Sequence, residues 1–165
     1  MKYRWIILII VILIVTGLLI YLLTRKEKKE VIESIKSLYY SYSVGYTANA
    51  HYRYEITCED KCTVMIKPNG YSEEEAKTYE LDSKSIDDIL NVLNKYEVSK
   101  WNGFQKYDQN VLDGDDFDFS LTTKDDKYIR ATGYMMWPEH YREVKNELKE
   151  IFDNYIKDDF KEERW

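Results

Sequence analysis

The chain is poor in the residues from which reaction centres are usually built. Only two cysteines and two histidines occur in 165 residues. Cys58 and Cys62 have no histidine near them, so the pair falls short of a four-ligand zinc site. His51 and His140 are not joined by a Ser or Cys nucleophile and a carboxylate in any recognisable order, which leaves no hydrolytic triad. No nucleotide, metal or cofactor motif stands out, so no catalytic residue, metal or cofactor is assigned.

Positive charge is also scarce, with a formal net charge of -6. Residues 1–30 hold six basic and two acidic side chains, so the remainder carries 18 basic and 28 acidic ones, a net charge near -10. Such a surface repels phosphate polymers. It argues against nucleic acid, anionic head groups and anionic wall polymers as main partners, while leaving room for a local basic patch.

Long apolar runs are absent but for one, Ile6 to Leu23, in which fifteen of eighteen residues are Leu, Ile or Val and none is charged. At the rise of an α-helix the run reaches about 27 Å, close to the hydrocarbon thickness of a bilayer. It predicts one transmembrane helix, with Tyr3, Trp5 and Tyr21 suited to the two interfaces. No small-residue cleavage site and no lipid-attachment cysteine follow it, so the reading is an uncleaved signal anchor. Lys2 and Arg4 flank one end and Arg25, Lys26, Lys28 and Lys29 the other. The bare Lys/Arg count would keep the following chain in the cytoplasm. A short basic tail ahead of a single span is instead how an exporting anchor looks, and an extracytoplasmic domain is expected.

The expected layout is a tail at 1–5, the span at 6–23, a charged juxtamembrane stalk at 24–36, one α+β domain at 37–156 and a charged, frayed tail at 157–165. About 125 residues suffice for one core and are too few for two. After the charged stretch Arg25 to Glu30, Val31, Ile32, Ile35 and Leu38 suggest about two further helical turns. Tyr40, Tyr42, Val44 and Tyr46 then alternate with Ser41, Ser43 and Gly45, and Tyr52, Tyr54 and Ile56 with Arg53 and Glu55, as in half-buried strands. Thr47–Asn49 predicts a turn. Val64 and Ile66 continue the pattern up to Pro68-Asn-Gly70, and a polar loop at Ser72–Glu75 precedes a short strand at Lys77–Leu81.

Ser85-Ile-Asp-Asp88 resembles a capping pattern and leads into Ile86, Ile89, Leu90, Leu93 and Tyr96 at helical spacing. Phe117, Phe119 and Leu121 predict a strand that returns, after a turn at Lys124–Lys127, along Tyr128–Met135. Pro138 suits the first position of a helix with the stripe Tyr141, Val144, Leu148, Ile151, Phe152 and Tyr155, with Glu139 near its N-terminus. The fold class is α+β: an antiparallel sheet with two helices packed on one face, preceded by the membrane helix.

Four features stand as candidate sites. Cys58 and Cys62 bracket a hairpin tip, where pairing would bring their α-carbons within the roughly 4.4–6.8 Å a disulfide needs; a disulfide, two free thiols and a metal all remain open. Asp108, Asn110 and the run Asp113–Asp118 superficially suggest a calcium loop. Leu112 and Asp113 stand where the pattern requires Asp or Asn and then Gly, and the twelfth position lacks Glu, so a turn and a solvated strand face is the better reading. Asp116 and Asp118 would lie about 7 Å apart on one strand face, a spacing compatible with acid/base work but far commoner in exposed strands. Trp101, Phe104, Tyr134 and Trp137 lie where the second hairpin meets its flanks. They suggest one aromatic cluster, either capping the core or contacting a ligand.

The succession Trp101-Asn-Gly-Phe104, Leu112-Asp-Gly114, Gly133-Tyr134 and Pro138 to Tyr141 resembles small exported or lipid-anchored proteins of clostridial bacteria. The likeness spans residues 98–155 and implies export, without any activity or binding residue to carry over. The expectation is a non-enzymatic envelope protein that binds a protein, peptide or other ligand near the membrane. The alternatives are a small carboxylate-dependent hydrolase, which clustering of Asp113, Asp116, Asp118 and His140 in one cleft would favour, and a structural subunit of an envelope complex.

Overall fold

The computed structural model describes residues 2–24, 30–45, 51–67 and 72–156. Their elements run α1 (Lys2–Thr24), β1 (Ser37–Ser43), β2 (His51–Cys58), β3 (Cys62–Lys67), β4 (Lys77–Glu80), α2 (Ser83–Lys95), β5 (Phe104–Tyr107), β6 (Asp116–Thr122), β7 (Tyr128–Tyr134) and α3 (Tyr141–Ile156). The expected turn at Thr47–Asn49, the break at Pro68–Gly70 and the tail from 157 lie outside the described residues, as does Tyr46.

The strands form one seven-stranded sheet in the order β4-β3-β2-β1-β6-β7-β5. Period-2 alternation puts Leu38, Tyr40 and Tyr42 of β1, Tyr54 and Ile56 of β2, Val64 and Ile66 of β3, and Phe117, Phe119 and Leu121 of β6 on one face, where all are buried. Both α2 and α3 lie on that face. α2 contributes Ile89, Val92 and Leu93 to the core, and α3 contributes Tyr141, Val144, Leu148 and Phe152. Each such side chain, fully buried, contributes roughly 1.5–3 kcal/mol against its exposed state. This common core is why β1, hydrogen-bonded to β2 and β6, holds the centre of the sheet.

Four expectations need correction. The sheet is not purely antiparallel: Trp101 to Tyr107 carries an unforeseen strand, β5, which pairs in parallel with β7 at the sheet edge. Its short sequence, with only Phe104 turned towards the core, leaves too little alternation to announce it. Residues 30–36 are not helical. The Ile32 N–H donates to Asn94 Oδ1 at 2.8 Å, and Asn94 Nδ2 donates to the Ile32 carbonyl at 2.8 Å. With its backbone captured in this way, Ile32 joins Ile35 in the core, so packing begins ahead of residue 37.

The cap of α2 is Asp82 rather than Ser85, with Asp82 Oδ1 accepting from the Ser85 N–H at 2.7 Å. α3 starts at Tyr141, three residues after Pro138, because His140 has φ +60°, in the left-handed region that interrupts a helix. The His140 carbonyl then accepts the first helical bond, from Val144, at 3.1 Å.

α1 exposes apolar side chains in an unbroken series from Val11 to Val15, and again at Leu18 and Leu19, each more than half exposed. Such a series covers every side of a helix. Over the fully described side chains alone, no helix is long and apolar enough to cross a membrane.

Candidate functional site: the uncovered face of the sheet

With α2 and α3 on one face, the other face of the sheet carries mostly polar side chains among the described residues. Strand register arranges them in rows. One row crosses six strands as Lys67, Arg53, Ser41, Asp118, Thr132 and Gln105, each directly opposite the next. A second runs Thr78, Met65, Glu55, Tyr39, Ser120 and Arg130. Arg130 Nη2 approaches Asp118 Oδ2 at 3.8 Å between the rows.

The strongest electrostatics on this face lie at its β2–β3 end. Arg53 and Lys67 are direct cross-strand partners, and their side chains are only 18% and 10% exposed. Arg53 Nε contacts Glu55 Oε1 at 3.1 Å. Its Nη1 donates to Glu73 Oε1 at 3.1 Å, and its Nη2 to Glu73 Oε2, while Lys67 Nζ reaches Glu73 Oε1 at 3.3 Å. One carboxylate therefore answers two recessed cations. The Arg53 fork, followed by Lys67, holds the Glu73 carboxyl below its ordinary titration range.

Glu73 comes from a separate short 3-10 turn, Glu73–Glu75, preceded by Ser72. Glu75 accepts from the Ser72 N–H at 2.8 Å, which shapes the turn and lowers the Glu75 carboxyl as well. Alternation in the sequence marks Arg53 only as a polar position, and it does not single out Lys67 or Glu73. The signal was present, since a hairpin centred on Asp60 pairs Arg53 with Lys67 by counting outward from its tip.

Cys58 and Cys62 face each other across β2 and β3 and are joined as a disulfide at the hairpin tip. The expected aromatic cluster is only partly brought together. Trp101 is buried, and its ring lies 6.3 Å from Phe117; Phe104 and Trp137, both half-buried, lie 6.2 and 5.6 Å from the same ring. Trp137 also stacks on Tyr141 at 4.6 Å. The Trp101 indole donates to the Glu139 carbonyl at 3.0 Å, tying the lead-in of α3 to this cluster. Gly133 lets the layers close here, because a Cβ would strike the Met136 carbonyl and the Phe117 ring.

Tyr134 does not join them. It points to the uncovered face, stacks on Tyr107 at 4.7 Å and accepts from the Gly114 N–H at 2.7 Å. The alternation of β7 places it there, one residue after Gly133 and two after Thr132.

The carboxylates weighed for catalysis are also separated. Asp116 and Asp118 lie on the uncovered face, whereas the His140 ring sits 5.5 Å from Tyr96 on the helix side. Asp108 bonds back to Asn110 within its own turn, Asp113 is exposed, and His51 opens β2 opposite Ser43. Among the described residues no group of three His, Cys, Asp or Glu side chains is arranged to hold a metal.

The helix side offers a shallow groove of about 560 Å³ between α2 and α3, lined by Asp88, Lys95, Glu147 and Glu150 among others. Lys95 and Glu147 close it with a 2.6 Å ion pair. Burial raises the hydroxyls of Tyr40, Tyr42 and Tyr54 on the covered face, and of Tyr141 at the start of α3, well above their ordinary range. Lys145 lies 3.9 Å over the Tyr42 ring, and burial lowers its ammonium. In sequence comparison no family model matches the chain, and no curated protein matches it.

Proposed function

We propose that this is a single-pass membrane protein whose domain lies outside the cytoplasm and binds a protein or peptide partner, without catalysing a reaction, through the uncovered face of its sheet. The carrying observation is the division between the two sheet faces. Both helices cover one, while a seven-stranded polar surface with recessed charges is left on the other. Polar rows whose side chains are half-buried by their neighbours present fixed hydrogen-bonding groups, which suits recognition of a partner with its own polar pattern.

Two observations support the membrane placement. Among the described residues of α1, Val11 to Val15 with Leu18 and Leu19 expose apolar side chains all round the helix, as expected of a helix solvated by lipid. The Cys58–Cys62 disulfide fits an oxidising compartment, because thiols in the cytosol are kept reduced. The resemblance to exported clostridial proteins belongs to the same proposal.

The test uses the full chain in its native membrane with a photo-crosslinking residue placed singly at Tyr39, Ser120 or Thr132, and at Asn91 and Glu150 as helix-side controls. The same defined adduct from the three sheet positions, missing from the two controls, is the expected result. Adducts confined to the controls would move the binding surface to the helices. For topology, an impermeant thiol reagent applied to intact cells after reduction should label Cys58 or Cys62, and labelling only after lysis would place the domain inside.

A further inference from the structure

Two like charges placed directly opposite each other on neighbouring strands destabilise a sheet, and recessing them from water makes the cost greater. Arg53 and Lys67 are such a pair. Glu55, the acidic neighbour on the sheet, reaches only Arg53 Nε. The group that answers both cations, Glu73, arrives from outside the sheet on a turn that puts no residue into the core. Glu73 itself is 62% exposed. The turn can therefore take Glu73 off the two cations without exposing a core side chain of its own.

We propose that Arg53 and Lys67 form a receptor for a carboxylate carried by the partner, an acidic side chain or a chain end, and that Glu73 occupies it as a built-in pseudo-ligand until the partner displaces it. The geometry is that of carboxylate recognition: both Glu73 oxygens lie on the Arg53 fork, and Lys67 shares one of them. The Arg53 fork meets the two oxygens of one planar carboxylate, a match that a tetrahedral phosphate lacks. The net negative charge of the chain disfavours acidic partners at long range, so recognition rests on this local contact.

A tethered Glu73 competes at an effective concentration of order millimolar or above, which lowers the apparent affinity of any free carboxylate for the unaltered protein. Removing its charge removes the competitor. The proposal rests on the uncovered face being the binding surface, but its test needs no partner and no membrane topology, so the two can fail separately.

The experiment follows the Arg53 Nε–Hε signal by NMR in the full chain in zwitterionic micelles, titrated with sodium acetate and, separately, with sodium phosphate, at constant ionic strength. In Glu73→Gln, acetate should bind saturably with an apparent Kd at least tenfold below that of the wild type, and more tightly than phosphate. Adding Lys67→Gln to Glu73→Gln should abolish the gain. Equal acetate affinity in wild type and Glu73→Gln would overturn the pseudo-ligand, and tighter phosphate binding would overturn the carboxylate assignment. Failure of Glu73→Gln to fold would show Glu73 to be a structural counter-ion, and would overturn the proposal as well.

Discussion

The two faces of one sheet are built from the same strands, residue by residue in alternation, yet they are held by different forces. The covered face is packed with aromatic and aliphatic side chains: Tyr40, Tyr54, Phe119 and Phe152 are among its largest fully buried members. The uncovered face is held by ion pairs and hydrogen bonds between partly wet groups, among them Arg53 with Glu73 and Arg130 with Asp118. Burial of apolar area is worth far more than exposed charge pairing. The contrast teaches that stability is lodged on one side of the sheet and that the other side is free to be used.

The covered face should break most completely in alkali. Its buried tyrosines ionise less readily folded than unfolded, where the hydroxyl titrates near about 10. The folded state therefore holds protons that the unfolded state gives up, so stability is fully present below that pH and falls as pH rises above it. Absorbance at 295 nm should rise with loss of far-ultraviolet circular dichroism in one cooperative step. Gradual ionisation of all sixteen tyrosines in a folded chain would contradict this.

Next in size is Trp101→Ala, which should cost roughly 3–5 kcal/mol in denaturant unfolding, because it empties a site only 2% exposed. Trp137→Ala, at the half-buried rim of the same cluster, should cost less, about 2 kcal/mol. Equal and negligible effects would turn the cluster from a core cap into a ligand platform.

Reduction of Cys58–Cys62 frees only a five-residue loop and should cost about 2 kcal/mol, read as a lower melting temperature in reductant. The smallest effect belongs to the uncovered face. Asp118→Asn, which weakens a 3.8 Å contact with Arg130, should leave stability within about 0.5 kcal/mol. A loss approaching that of Trp101→Ala would erase the distinction between the faces.

Much of the covered face was legible because alternation and helical spacing are direct records of burial: the stripe of α3 and the three apolar positions of β6 are read straight from the sequence. Helix starts were less so, because a left-handed His140 and a capping Asp82 depend on one dihedral or one hydrogen bond. β5 was missed because an edge strand of four residues buries almost nothing of its own. For the candidate site, alternation marked Arg53 and Glu55 as polar, but the arrival of Glu73 depends on a turn that no periodicity describes. Tyr134 stands apart from the expected cluster because nearness in sequence to Gly133 and Trp137 does not say which face of a strand a side chain takes.

The central position of β1 has a further consequence for how the chain is made. β1 ends at Ser43, whereas its partner β6 ends at Thr122. At ordinary synthesis rates of about 5–20 residues per second, roughly 4–16 seconds separate their emergence. During that interval β2, β3 and β4 can zip onto one side of β1, while its other side is a bare strand edge carrying Leu38, Tyr40 and Tyr42. An unpaired edge of this kind is a template for aggregation between nascent chains. What becomes the best-protected strand of the finished protein is thus, for several seconds, its most vulnerable, and a chaperone that shields it would be needed early rather than late.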